Sequence, residues 1–235
     1  MIVVVTSSWK IPMRSLSVLA FALVLSVPAI AQDADRVVGG GIQVDGWKGR
    51  VDRRPASQGR TVSDSRLRME NGALRLSVGP AGNFWNPSHH AHGNYEVSAS
   101  FHEHKMAAAH PHSYGIFIGG ADLESDTETL MYCIAYGNGT YSIKTFHGAN
   151  VQTLVDRAAS NALVKAGANG EATNTIGWRV QGGNASCVIN GTAVHTVTRA
   201  QAVAADKLKS LDGTYGLRVS HNVELTVSGL RMTAR

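Results

Sequence analysis

Long apolar runs are scarce in this chain of 235 residues. After residue 27 none approaches the roughly 20 residues that a membrane-spanning helix needs, so no span is expected once the N-terminus is removed. Concentrated charge of one sign is missing as well. The formal net charge is +5, yet the densest basic group, Arg50, Arg53 and Arg54, carries Asp52 within it. Without a basic stripe or a recognisable module, nucleic acid is not an expected partner. No G-x-S-x-G elbow, Walker loop or dinucleotide fingerprint occurs, so no cofactor is expected either. Cysteine is limited to Cys133 and Cys187. An even pair can form a disulfide in an oxidising compartment. Both also lie in apolar strand patterns, where a lone cysteine serves as a small core residue, and a domain of this size needs no staple. Helical pattern is equally sparse. Residues 199–210, Ala-rich with Lys207 and Lys209 in the last turn, make the one helix candidate.

What is present begins with an address. Lys10 and Arg14 precede an apolar run over 16–27, which ends in Pro28-Ala29-Ile30-Ala31. These are the parts of a secretory signal peptide, with cleavage expected after Ala31 and a secreted or periplasmic product. Residues 32–64 read as a lead-in segment and first strand, and 65–235 as a β-domain.

That domain is built around residues 114–143. Tyr114, Ile116 and Ile118 alternate with Gly115, Phe117 and Gly119; Leu130, Tyr132, Ile134 and Tyr136 alternate with Cys133 and Ala135. Asn138-Gly139 then suggests a two-residue primed turn, as do Asn71-Gly72 and Asn190-Gly191, because both residue types tolerate positive φ. Residues 94–104 form a period-two strand with Tyr95, Val97, Ala99 and Phe101 on one side. Glu96, Ser98, Ser100, His102 and His104 lie on the other. Phe84-Trp85-Asn86-Pro87 precedes what reads as a His-rich loop. About a dozen short strands predict an all-β sandwich or jelly roll.

The order of these pieces resembles the concanavalin A-like lectin/glucanase superfamily, including its keto-disaccharide hydrolase-like and glucanase-like bacterial members. The strand 95–101, the Gly-bearing Tyr114–Gly120, the Tyr-rich hairpin through Tyr141, Val188-Ile189-Asn190-Gly191 and Gly213–Val219 carry the likeness. It implies two antiparallel sheets, with a concave face where the sugar-acting relatives bind carbohydrate. The expectation is therefore an exported, non-catalytic module that takes a glycan or cell-envelope ligand on that face. Its expected contacts are Trp85, His90, His92, Glu96, His102, His104 and Tyr114.

Two constellations compete with that reading. Glu124-Ser125-Asp126-Thr127-Glu128 matches the E-x-D-x-E letters of the superfamily's retaining glucanases, which place a nucleophile and an acid/base on one strand face. Here Ser125 and Thr127 replace apolar spacers and the segment reads as a connecting loop, so Glu124, Asp126 and Glu128 are expected to be solvated rather than catalytic. Histidine is the other. Seven of the ten histidines lie between His89 and His112. On a strand His102 and His104 share a face, and a third ligand such as His92 would complete a metal set. H-E-H-K-M lacks the helical H-E-x-x-H spacing, and a wet histidine surface is the plainer expectation.

Overall fold

Alternation along the chain becomes two stacked sheets. The structure is a computed structural model that describes residues 1–4 and 33–235. The basic, apolar and cleavage-site parts of the expected signal peptide lie outside the described residues. Every strand belongs to the compact unit Asp35–Arg235. Among the described residues no helix is long and apolar enough to cross a membrane.

The eight-stranded sheet runs β1 (Gly41–Ile42), β3 (Arg66–Glu70), β4 (Ala73–Ser77), β15 (Glu224–Ala234), β6 (Tyr95–Glu103), β11 (Ala172–Gln181), β12 (Asn184–Ile189), β13 (Thr192–Val197). The seven-stranded sheet runs β10 (Asn150–Ala159), β9 (Thr140–His147), β8 (Thr129–Tyr136), β7 (Ser113–Ala121), β14 (Gly213–Val219), β5 (Gly82–Ala91), β2 (Lys48–Val51). Neighbours are antiparallel except β1 beside β3. The expected all-β sandwich is thus the observed one, and its first two strands come from the lead-in segment.

The space between the sheets is filled from both sides. Tyr95, Val97, Ala99 and Phe101 of β6 point inward, as do Tyr114, Ile116 and Ile118 of β7. Phe101 stacks on Tyr114 with ring centroids 5.6 Å apart. Trp178 of β11 is fully buried and donates its indole N–H to the Ile116 carbonyl across the core at 3.0 Å, so its one polar atom is satisfied. Cys133 of β8 and Cys187 of β12 are joined in a disulfide that ties one sheet to the other. Of the two readings that the sequence left open for this pair, stacking of the sheets selects the bridge, by bringing the two Cα atoms to 6.1 Å.

Three local expectations change. Of residues 199–210 only Arg199–Ala202 is helical, closed at its start by a Thr198–Gln201 capping box. Ala202 and Leu208 are both fully buried. Six residues advance a helix by about 600°, so a continuous helix would turn one of them away from the core; burial overrides Ala propensity. The Tyr136–Thr140 connection is a three-residue loop rather than a two-residue turn, because Tyr136 pairs with Thr140 and only Gly139 has positive φ. Asn138 instead accepts bonds from the backbone N–H and hydroxyl of Thr140. The His-rich loop is in its first half strand: β5 continues through His89 and His90, and Pro87 falls where β5 itself bulges, its residues 86–89 standing opposite Tyr215 alone, so the missing amide lies in a gap of the ladder.

The other two Asn-Gly turns are as expected, with φ of 51° and 77° at Asn71-Gly72 and 48° and 83° at Asn190-Gly191. A Cβ at Gly191 would meet nothing within 4 Å. Gly191→Val therefore tests backbone strain alone and should cost about 1–3 kcal/mol in a denaturant titration; an unchanged midpoint would contradict the turn.

Glu103 ends the inward face of β6 and is 2 % exposed. Burial pushes its carboxyl up from 4.5 to about 7, against the lowering effect of the Tyr114 hydroxyl. Between those two values the folded protein keeps a proton that the unfolded chain has released, so stability falls as pH rises through this window. The loss is on the order of 3 kcal/mol. Glu103→Gln should remove it, flattening the melting-temperature profile between about pH 4.5 and 7; a parallel profile in the variant would refute the assignment.

Candidate functional site

The central strands of the seven-stranded sheet are apolar on both faces. On the face turned away from the other sheet lie Trp85 (β5), Phe117 (β7) and Leu130, Tyr132, Ile134 and Tyr136 (β8), with Phe146 of β9 at their edge. Gly216 keeps this face flat: a Cβ there would come within 2.8 Å of the Phe117 ring. Such a face must be covered. The β7–β8 loop does part of this, inserting Leu123 into the cluster.

Cations from β2 and its neighbours hold the loop down. Lys48 pairs with Glu124 at 2.6 Å, Arg50 with Asp126 at 2.5 Å, and Lys209 with Asp122 at 2.5 Å. Arg53 reaches the Asp126 backbone carbonyl. The hydrogen bond from Lys209 is the first cause holding the Asp122 carboxyl below its ordinary range. Glu128 differs from the other acids. It is buried, with Arg50 Nη1 at 3.8 Å, and burial raises its pKa against the pull of Arg50 and Arg218.

Beneath the loop, Arg218 of β14 is a buried cation, 8 % exposed. Asp52 grips it with both oxygens, at 2.5 and 2.6 Å, in the forked geometry that suits guanidinium and carboxylate. Its guanidinium carbon lies 5.3 Å from the Tyr132 ring centre and 5.6 Å from that of Phe146. Burial opposes the charge, and Asp52 more than restores it. Asp52→Ala would strand that charge and should cost about 3–5 kcal/mol in urea unfolding, while Asp52→Leu with Arg218→Met should recover most of the loss. Equal stability of Asp52→Ala and the parent would remove Arg218 from the frame.

A cavity of about 450 Å³ opens between β5 and the β7–β8 loop, lined by Trp85, Pro87, His90, Asp122, Glu124 and Thr214, among others. The structure brings together here three residues singled out in the sequence: Trp85, His90 and Glu124. Trp85 is only 3 % exposed, so it forms floor rather than a free stacking platform. His90 is exposed and its Nε2 lies 3.3 Å from Thr214 Oγ1.

The other candidates lie elsewhere. Glu96, His102 and His104 project from the outer face of the eight-stranded sheet, because their neighbours on β6 fill the core of the sandwich. Glu96 is engaged by Arg179 and Arg235. His102 and His104 touch edge to face, and each has a ring nitrogen bonded to a threonine, Thr173 and Thr226 respectively. His92 is exposed at the β5–β6 turn. Tyr114 is fully buried in the core. Asp126 points to solvent and Glu128 inward, so the E-x-D-x-E acids share no face. Sequence reasoning passed over Arg218 and Asp52. The signal available was a lone charge in β14, an arginine alternating with Tyr215, Leu217 and Val219.

No family model and no curated protein matches the chain. Among solved structures it is similar to the carbohydrate-binding module CBM66 from Bacillus subtilis, at 6% identity over 82% of this chain and 98% of the module, with a TM-score of 0.54. The exoplasmic/lumenal domain of VIP36 in its Ca2+/Man3GlcNAc-bound form matches at 10% identity over 81% of this chain and 84% of that one, TM-score 0.52. The endo-beta-1,3-glucanase from Pyrococcus furiosus matches at 11% identity over 85% and 92%, TM-score 0.50. Identities this low speak to architecture alone. The chain has the concanavalin A-like lectin/glucanase jelly-roll fold, an architecture that carbohydrate-binding modules, lectins and glucanases share.

Proposed function

We propose that the protein is an exported, non-catalytic jelly-roll module that binds a carbohydrate, or another hydroxyl-rich envelope ligand, in the cavity beside Trp85. The observation that carries this reading is the lining of that cavity. An indole floor is ringed by His90, Asp122, Glu124, Ser125, Thr127 and Thr214. These are directional acceptors and donors over an apolar base, the mixture by which a pocket orients a sugar. Export rests on the basic, apolar and A-x-A pattern before Gln32. The fold shared with CBM66 and VIP36 makes a sugar the natural first class of ligand to try.

Hydrolysis is the second reading, favoured by one observation: Glu128 has the raised pKa of a general acid. Against it, Glu124, Asp126 and Asp122 are each tied to a cation, and Glu128 is sealed beneath Arg50. An acid without solvent access has no route to a glycosidic oxygen.

The test is a glycan array probed with the purified protein, followed by calorimetric titration of the best glycan. His90→Ala and Glu124→Gln, both at exposed positions, should each weaken binding by about 0.5–1.5 kcal/mol, the worth of one hydrogen bond. His102→Ala, on the opposite outer face, should bind as the parent does. Loss of binding in His102→Ala alone would move the site to the eight-stranded sheet, and reducing-sugar release abolished by Glu128→Gln would replace the module by an enzyme.

A further inference from the structure

Two strand ends that are far apart in sequence deliver histidines to one place. His110 and His112 precede β7, and His221 follows β14. These strands are hydrogen-bonded neighbours, with Tyr114 opposite Val219, and the Ser220 amide donates to the Ser113 carbonyl at 2.8 Å. The side chains therefore converge: one ring nitrogen from each of His110, His112 and His221 lies within 4.8 Å of the other two. The His112 and His221 rings meet at right angles, 4.4 Å between centroids, and His110 stands 5.1 Å from His112.

A fourth residue gives this cluster a direction. Asp35 Oδ1 lies 2.9 Å from Nδ1 of His221. A carboxylate on Nδ1 fixes the proton there and leaves Nε2 with its lone pair outward, the arrangement that accompanies metal-bound imidazoles. Asp35 is itself held, since the following residue, Arg36, donates its amide to the Asn222 side chain at 2.8 Å. The segment before β1 is thus strapped across the β14–β15 turn.

We propose that His110, His112 and His221 form a binding site for a divalent transition-metal ion, with Asp35 as the outer partner that orients His221. Three neutral imidazoles and no thiolate suit Zn(II), Cu(II) or Ni(II) rather than calcium or magnesium, which take oxygen ligands. Nitrogens around a tetrahedral zinc stand about 3.3 Å apart, so the set must close by up to about 1.5 Å. His110, on an exposed loop, has the freedom to do so; His112, which is 4 % exposed, and His221 provide the fixed half. Three protein nitrogens leave a coordination position for water or a ligand atom. The site is separate from the His102–His104 pair, whose rings are bonded to threonines on the sheet face.

The experiment uses the full chain without a polyhistidine tag. It is titrated with Co(II), read by its visible d–d absorption, and with Zn(II), read by calorimetry and by the shift in melting temperature. The expected result is a single equivalent bound, with a zinc-dependent rise in melting temperature. Asp35→Asn should weaken Zn(II) by about 10–100-fold. His110→Ala, an exposed substitution that leaves the metal-free melting temperature unchanged, should abolish the cobalt spectrum and the zinc shift. The paired change His102→Ala, His104→Ala should leave both intact. Absence of stoichiometric uptake by the parent, retention of the cobalt spectrum in His110→Ala, or its loss in the His102/His104 variant would each overturn the proposal.

Discussion

A sheet whose central strands are apolar on both faces has to be covered on both. In this protein β7 and β8 impose that requirement: Tyr114, Ile116 and Ile118 look one way and Phe117 the other, while Met131, Cys133 and Ala135 oppose Leu130, Tyr132, Ile134 and Tyr136. The eight-stranded sheet covers one side and supplies the jelly-roll core. On the other side no second sheet is present among the described residues, and a loop and a set of paired charges take part in its place. Much of what looks like a site follows from this demand.

The acids of the β7–β8 loop are the clearest case. As letters they match a catalytic triplet, and in the fold Glu124 and Asp126 anchor Leu123 and the loop backbone over the aromatic cluster through Lys48, Arg50 and Arg53. The match in letters is not a match in placement: Glu124 and Asp126 serve as partners for cations, while Glu128 turns inward. Arg218 belongs to the same economy of coverage, since its guanidinium spreads over Tyr132 and Phe146 while Asp52 neutralises it. An arginine can lie flat on rings and still accept a forked carboxylate, which a lysine cannot.

The histidines divide along the same lines. His102 and His104 decorate an outer face as strand alternation requires, and threonines on the neighbouring strands absorb their ring nitrogens. His110, His112 and His221 sit where strands end, so nothing in the sheet ladder dictates their direction. Their convergence comes from the pairing of β7 with β14 and from the strap that carries Asp35 to the same corner.

Which residues face inward was legible from period two alone, as on β6, and so were the turns at Asn71-Gly72 and Asn190-Gly191, where side-chain chemistry and φ are local matters. The jelly-roll class followed from the number and spacing of such strands. Trp85, His90 and Glu124 were singled out one by one, but their meeting in one cavity depends on which sheet each strand joins. The bond between Cys133 and Cys187 needed the stacking distance of the sheets. The short helix at Arg199 needed the burial of Leu208, and the partnership of His112 with His221 needed the β7–β14 register. Alternation reports the environment of a residue on its own strand, because side-chain direction is set by the backbone next to it. It carries no record of crossovers, so contacts between distant segments were decided only by the order in which strands join a sheet and by the stacking of the two sheets.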